Sequence, residues 1–91
     1  MKRYRLRLFA AAEDSLHIMP PGVARQADEI IKDLAEDPYP PDSASLGREL
    51  TNRYRIAVDG WRIIYLVNDR DRIVSVLDIR RRDQDTYPNV P

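Results

Sequence analysis

The sequence predicts a two-layer α+β domain in the order β-α-α-β-β-β, with two N-terminal helices packed on an antiparallel-meander sheet. Three observations predict it. Arg3 to Phe9 alternates apolar and polar residues, the period of a half-buried strand. Pro21 to Glu36 carries an apolar stripe at helical spacing. From Arg48 onward the period falls back to two, with polar turns between the segments.

In the first strand Tyr4, Leu6 and Leu8 lie on one side and Arg3, Arg5 and Arg7 on the other. Ala10 to Met19 reads as a short helix, ended by Pro20-Pro21. The second helix begins at Pro21, where a proline suits the first turn, and places Val23, Ala27, Ile30, Ile31 and Leu34 on one face. Asp37-Pro38 closes it, because a residue before proline avoids helical angles. Residues 37–47 hold Pro38, Pro40, Pro41, Ser43, Ser45 and Gly47 and read as a semi-rigid loop. Tyr54, Ile56 and Val58 then alternate with Arg53, Arg55 and Ala57, and Asp59-Gly60 is a specific signal for a two-residue hairpin. Trp61 to Val67 is apolar on both faces apart from Arg62, which suits a central strand. Asn68 to Arg72 is a polar turn, Ile73 to Ile79 the last strand, and Arg80 to Pro91 a polar tail. Two apolar layers of this kind bury their stripes only against each other, so the helices cover one face of the sheet.

At 91 residues the chain fits a single domain, residues 1–91, with one modest core. It has no cysteine, which excludes disulfides, thiolate metal sites and a cysteine nucleophile, and a single histidine, which excludes a histidine-rich metal site. No apolar run approaches the roughly 18 residues of a membrane span, and the basic start lacks the apolar stretch of a signal peptide. A cytoplasmic protein with no membrane contact and no cofactor is the expectation. Lysine and arginine total 15 and aspartate and glutamate total 15, so the formal net charge is zero. A nucleic-acid binder usually shows a positive excess. The distribution of charge matters more than its sum, however, and all the cations but Lys2 and Lys32 are arginine, whose rigid fork suits phosphate.

Placing those arginines on strands locates a candidate site. A two-residue turn at Asp59-Gly60 pairs Ala57 with Arg62 and Arg55 with Ile64, so Arg55 and Arg62 share a face. A second turn centred near Arg70 sets Arg62 opposite Asp78, with Arg80 just beyond on the same face. A register slip of one brings in Arg81 instead. Arg55, Arg62 and the run Arg80-Arg81-Arg82 therefore converge, with Tyr87 in reach. A charge inside an apolar strand needs a partner. For Arg62 the plain reading is a cross-strand pair with Asp78, and the functional one is a phosphate ligand. The arginine run reads either as a solvated strand end screened by Asp83 and Asp85 or as the rest of that ligand set. Tyr87 is by type a packing residue. It would serve as a base only where cations lower its usual pKa, and the run supplies cations. His17 is expected on the surface, Trp61 and Tyr65 in the core, Tyr39 as a loop anchor, and the acids from Glu13 to Asp37 on the solvated sides of the helices. No glycine-rich phosphate loop and no metal motif is present.

The stretch from Asn52 to Tyr65, NRYRIAVDGWRIIY, resembles the central segment of RelE-type toxins, and Ile79-Arg80-Arg81-Arg82-Asp83 with Tyr87 is similar to their last strand and terminal arginine-tyrosine signature. The element order is also that of the RelE/ParE family. The resemblance implies a toxin of a type II toxin–antitoxin system, with a co-encoded antitoxin as partner. RelE-type members cleave mRNA on the ribosome without a metal. ParE-type members share the fold and inhibit DNA gyrase. Carried over by resemblance, Arg62, Arg81 and Tyr87 take catalytic positions and Arg55, Arg80 and Arg82 bind substrate. The expectation is a ribosome-dependent endoribonuclease with ribosome and mRNA as partners. The alternatives are a gyrase inhibitor and a non-toxic, antitoxin-binding member. Ala57 departs from the ribonuclease pattern, in which a second basic residue stands beside Arg62.

Overall fold

A computed structural model describes residues 3–81. Its elements are β1 (Arg5–Leu8), α1 (Ala10–Ile18), α2 (Pro21–Leu34), β2 (Ser43–Ser45), a single 3-10 turn at Arg48–Leu50, β3 (Arg53–Val58), β4 (Trp61–Asn68) and β5 (Ile73–Arg81). The expected order is present, with one strand more. β2 lies inside the proline-rich stretch expected as a loop, and its three residues pair with Ile56, Arg55 and Tyr54. Serine and alanine have little strand preference of their own, so pairing along β3 makes this strand.

The sheet runs β1-β5-β4-β3-β2. The antiparallel meander β3-β4-β5 is as expected, and β1 joins it in parallel beside β5, which makes the sheet mixed. β1 and β2 occupy opposite edges, so the chain between them must cross the sheet. The two helices make that crossing on one face. There Ala12, Met19, Ala27, Ile31 and Leu34 pack with Ile56, Val58, Ile63, Tyr65, Val67, Val74, Val76 and Ile79. Each fully buried aliphatic side chain in that set contributes about 1.5–3 kcal/mol. The Ser15 hydroxyl donates to the Ile79 carbonyl at 2.7 Å and ties α1 to β5. Among the described residues, no helix lies on the opposite face of the sheet.

Two turns set the register. Asp59 and Gly60 both take positive φ, 45° and 85°, as the two-residue turn of a right-twisted hairpin requires. Val58 then faces Trp61, Ala57 faces Arg62 and Arg55 faces Ile64, as the sequence predicts. The β4–β5 connection differs. Its first pair is Asn68 with Ile73, which moves β5 one residue from a turn centred on Arg70. A bulge opposite Ile64 and Tyr65 then leaves Leu77 unpaired and adds a second step. Two steps restore the original face. Arg62 consequently faces Arg80, and Asp78 faces Ile64. The expected Arg62–Asp78 cross-strand pairing is replaced, and the Asp78 carboxylate accepts from Arg80 Nε at 3.0 Å and from the Ile79 amide at 2.8 Å.

Five contacts, centred on tyrosines and Asp69, hold the loop that leads into β2. Asp69, in the β4–β5 turn, accepts from the hydroxyls of Tyr4 at 2.5 Å and Tyr39 at 2.6 Å. Tyr39 meets Tyr54 edge-on, Tyr54 stacks on Tyr65, and the Tyr65 hydroxyl donates to the Pro38 carbonyl at 2.8 Å. Tyr39 is thus the loop anchor the sequence suggests. Donating to Asp69 raises the pKa of Tyr4. Burial first, and Asp69 second, push Tyr39 up, and burial raises Tyr65. These three tyrosines are held as neutral donors.

Candidate functional site

The register divides the side chains of the uncovered face into cross-strand rows, because paired residues point the same way. The first row is Arg80–Arg62–Ala57, and the second is Asp78–Ile64–Arg55–Ala44. Two residues further along β4 comes Arg7–Ser75–Leu66–Arg53, then Arg5–Ile73–Asn68. Among the described residues, six arginines stand on this face against one carboxylate of the strands, Asp78.

Arg55, Arg62 and Arg80 form one cluster at the β3–β4 hairpin end of this face. Arg55, Ala57, Arg62, Asp42 and Ala44 line a shallow depression of about 240 Å³. The tyrosine-held loop brings Asp42 to its rim, a residue that sequence reasoning did not single out. Arg80 is aligned by its contact with Asp78. Placing a carboxylate beside one of three arginines partly neutralises the cluster and fixes one fork in position. The local sequence accounts for the arrangement. Arg62 replaces an apolar residue at one outward position of β4 while Ile63, Tyr65 and Val67 keep the inward positions fully buried.

Arg81 goes elsewhere. It pairs with Trp61 on the helix-bearing face, and its guanidinium lies 5.9 Å from the centre of the indole ring. The bulge decides this. Were Leu77 paired in regular alternation, Arg81 would share the face of Arg62 and Arg80 would turn inward. Of the residues expected in the site, the structure gathers Arg55, Arg62 and Arg80 and separates Arg81. Arg82 and Tyr87 lie outside the described residues. Among the described residues the open face carries no tyrosine and no histidine; His17 is exposed on α1. Trp61 and Tyr65 pack against the core or within it, as expected. No group of three or more histidine, cysteine, aspartate or glutamate side chains suited to a metal ion occurs among the described residues. No helix among them is long and apolar enough to cross a membrane.

The uncovered arginines present charge-assisted donors in a fixed array. Chemically that array can bind phosphates and stabilise charge that develops on one.

Comparison with known proteins places this geometry. Residues 3–86 match the profile of the family described as ParE toxin of type II toxin–antitoxin system, parDE. No match is found among curated proteins. Solved structures are similar over most of the chain. The archaeal RelE–RelB complex of Pyrococcus horikoshii matches at 26% identity and a TM-score of 0.78, covering 88% of this chain and 96% of that one. The RelBE2 toxin–antitoxin complex of Mycobacterium tuberculosis matches at 26% identity and 0.75, covering 88% and 99%. The isolated RelE toxin of E. coli shares the fold at 21% identity and 0.73, covering 86% and 83%.

Proposed function

The chain belongs to the RelE/ParE family of toxins of type II toxin–antitoxin systems, and from that premise we propose that it is an endoribonuclease that cuts mRNA on the ribosome, without a metal. One observation carries the reading: three arginines, Arg55, Arg62 and Arg80, share one uncovered sheet face. The similarity to RelE toxins supports it.

The chemistry needs what these residues offer. The 2′-hydroxyl of one nucleotide attacks the adjacent phosphorus, which only RNA allows. An O2′–P bond forms and the P–O5′ bond breaks. The 2′ proton leaves to a base, and the departing 5′ oxygen takes up a proton. The products are a 2′,3′-cyclic phosphate and a 5′-hydroxyl. Negative charge builds on the non-bridging oxygens in between, and fixed cations stabilise it. Arg62, at the centre of the cluster, serves those oxygens. Arg80 is the second cation, in the role the resemblance gave to Arg81. Arg55 holds the substrate. Tyr87 remains the proposed base or base-stacking residue, with Arg82 beside it. As the structures of its relatives are toxin–antitoxin complexes, an antitoxin is the proposed protein partner.

The family profile matched is that of ParE, and Ala57 leaves the second basic position empty. Both observations favour a second reading, inhibition of DNA gyrase without catalysis.

The test is to map mRNA cleavage in a translating extract, with wild type and Arg62→Ala side by side. Codon-phased cuts by wild type alone, and only during translation, are the expected result. Intact mRNA in the presence of wild-type protein that blocks gyrase supercoiling would replace the endonuclease reading with the second one.

A further inference from the structure

The cluster at Arg62 accounts for half of the arginines on the open face. Arg5, Arg7 and Arg53 stand at its other end and have no part in that site. Arg7 and Arg53 bound one row, with Ser75 and Leu66 between them. At about 4.8 Å per strand their Cα atoms lie some 14 Å apart, and the row is about 13 Å along β4 from Arg62. Arg53 Nε is shut from solvent and has no hydrogen-bond partner among the described residues. Native structures leave few buried donors unmatched. Its burial pins the guanidinium to the sheet rather than leaving it to sweep through solvent.

The ligand class follows from what this half-face offers. The residues between the arginines, Ile64, Leu66 and Ile73, are half-buried, and the exposed Tyr39 is held off this face against Tyr54 and Asp69. The face therefore presents charge rather than apolar area. No aromatic residue stands in the paired rows of this face, so the rows themselves offer no platform for stacking bases. Arginine forks match the geometry of phosphate, and contacts to phosphate oxygens carry no sequence information.

We propose that Arg7 and Arg53, with Arg5 behind them, form a second phosphate-binding row that carries the RNA strand away from the Arg62 cluster without regard to its sequence. This rests on the endonuclease reading and adds to it a track for the strand outside the cleaved step. Arg7 and Arg53 are positioning residues here; they act on where the strand lies, not on the reacting atoms.

The test uses the full chain carrying Arg7→Ala and Arg53→Met, the methionine retaining much of the packed stem. In the Arg62→Ala background, binding to single-stranded oligouridylate is titrated against salt. Loss of two phosphate contacts flattens the slope of log K against log salt by about 1.4. Affinity at low salt falls by about tenfold. With Arg62 restored, the double variant needs about tenfold more protein for half-maximal mRNA cleavage in a translating extract, while the limiting rate stays within about twofold, as expected for lost uniform binding. Arg7→Lys with Arg53→Lys keeps both charges and restores the slope. An unchanged slope in a variant that melts like its parent overturns the row, as does a fall in limiting rate matching that of Arg62→Ala. The row is equally overturned if RNA affinity survives and only antitoxin co-purification is lost, for the arginines are then a protein contact. Wild type that cleaves no mRNA at all sinks the endonuclease reading instead.

Discussion

The two faces of one sheet do opposite work, and neighbouring residues show it. Ile63 is wholly buried beneath the helices, and Arg62, one peptide bond away, stands on the uncovered face. The covered face is aliphatic and aromatic. Among the described residues, the open face carries six arginines and Asp78. Helices α1 and α2 and the residues just after them hold compensating charge, in Glu13, Asp14, Asp28, Glu29, Asp33, Glu36 and Asp37. A net charge of zero therefore hides a polarised molecule. The potential a ligand meets depends on which face it approaches, and a sum over the chain says little about it.

Breaking the covered face should cost the most. Ile63→Ala is expected to lower the unfolding free energy by about 2–5 kcal/mol, read by urea titration. Breaking the open face should spare stability. Arg62→Ala is expected to reduce the cleavage rate by about 10²–10³, or about 2.7–4 kcal/mol in the barrier, while its denaturation midpoint stays near that of wild type. A midpoint that drops as far as that of Ile63→Ala would show that the faces do not separate stability from function. Between the two lies Asp69, which joins Tyr4 and Tyr39. Its removal in Asp69→Ala should lower the melting temperature by a few degrees, and the effect should depend on pH. Both tyrosines have pKa values above the ordinary 10.0, so their contribution is complete below pH 10 and fades as pH rises through the raised values. The gap between wild type and variant should accordingly narrow on alkaline titration. A gap that widens there would contradict the donor role. The smallest change sharpens the contrast instead. Ala57→Lys sets a cation beside Arg62 on the exposed side of β3 and should raise cleavage by about two- to fivefold, equivalent to roughly 0.5–1 kcal/mol for a surface charge pair. No gain in the extract assay would mean that the depression at Ala57 is not in contact with substrate.

The parts of this architecture legible in the sequence are those with local causes. Asp59-Gly60 demands its turn, and with the turn the whole β3–β4 register follows, including the shared face of Arg55 and Arg62. The stripe of α2 is likewise visible in the spacing of Ala27, Ile31 and Leu34. Features with non-local causes were hidden. β2 exists because β3 offers it an edge. The alternation of β1 gives Arg5 and Arg7 a polar side but not the strand they lie beside, so their place on the arginine face emerges only from the parallel pairing with β5. The choice between Arg80 and Arg81 depends on a bulge that no residue type at 77 announces.

That bulge makes β5 a strand in two phases. Before Leu77 the odd-numbered positions face outward, and after it the even-numbered ones do. Compared with an unbroken strand of the same sequence, the bulge thus acts on side chains as a frameshift acts on codons, exchanging inside for outside for everything downstream. Were the strand to run through Leu77 without the bulge, Arg80 and Asp78 would turn toward the helices and Ile79 and Arg81 would face outward, with every letter of the sequence intact. The identity of the second arginine is fixed by a residue count and not by a residue. Aligning relatives by matching arginine to arginine would therefore assign its role to the wrong position wherever the same number of residues runs through without the bulge.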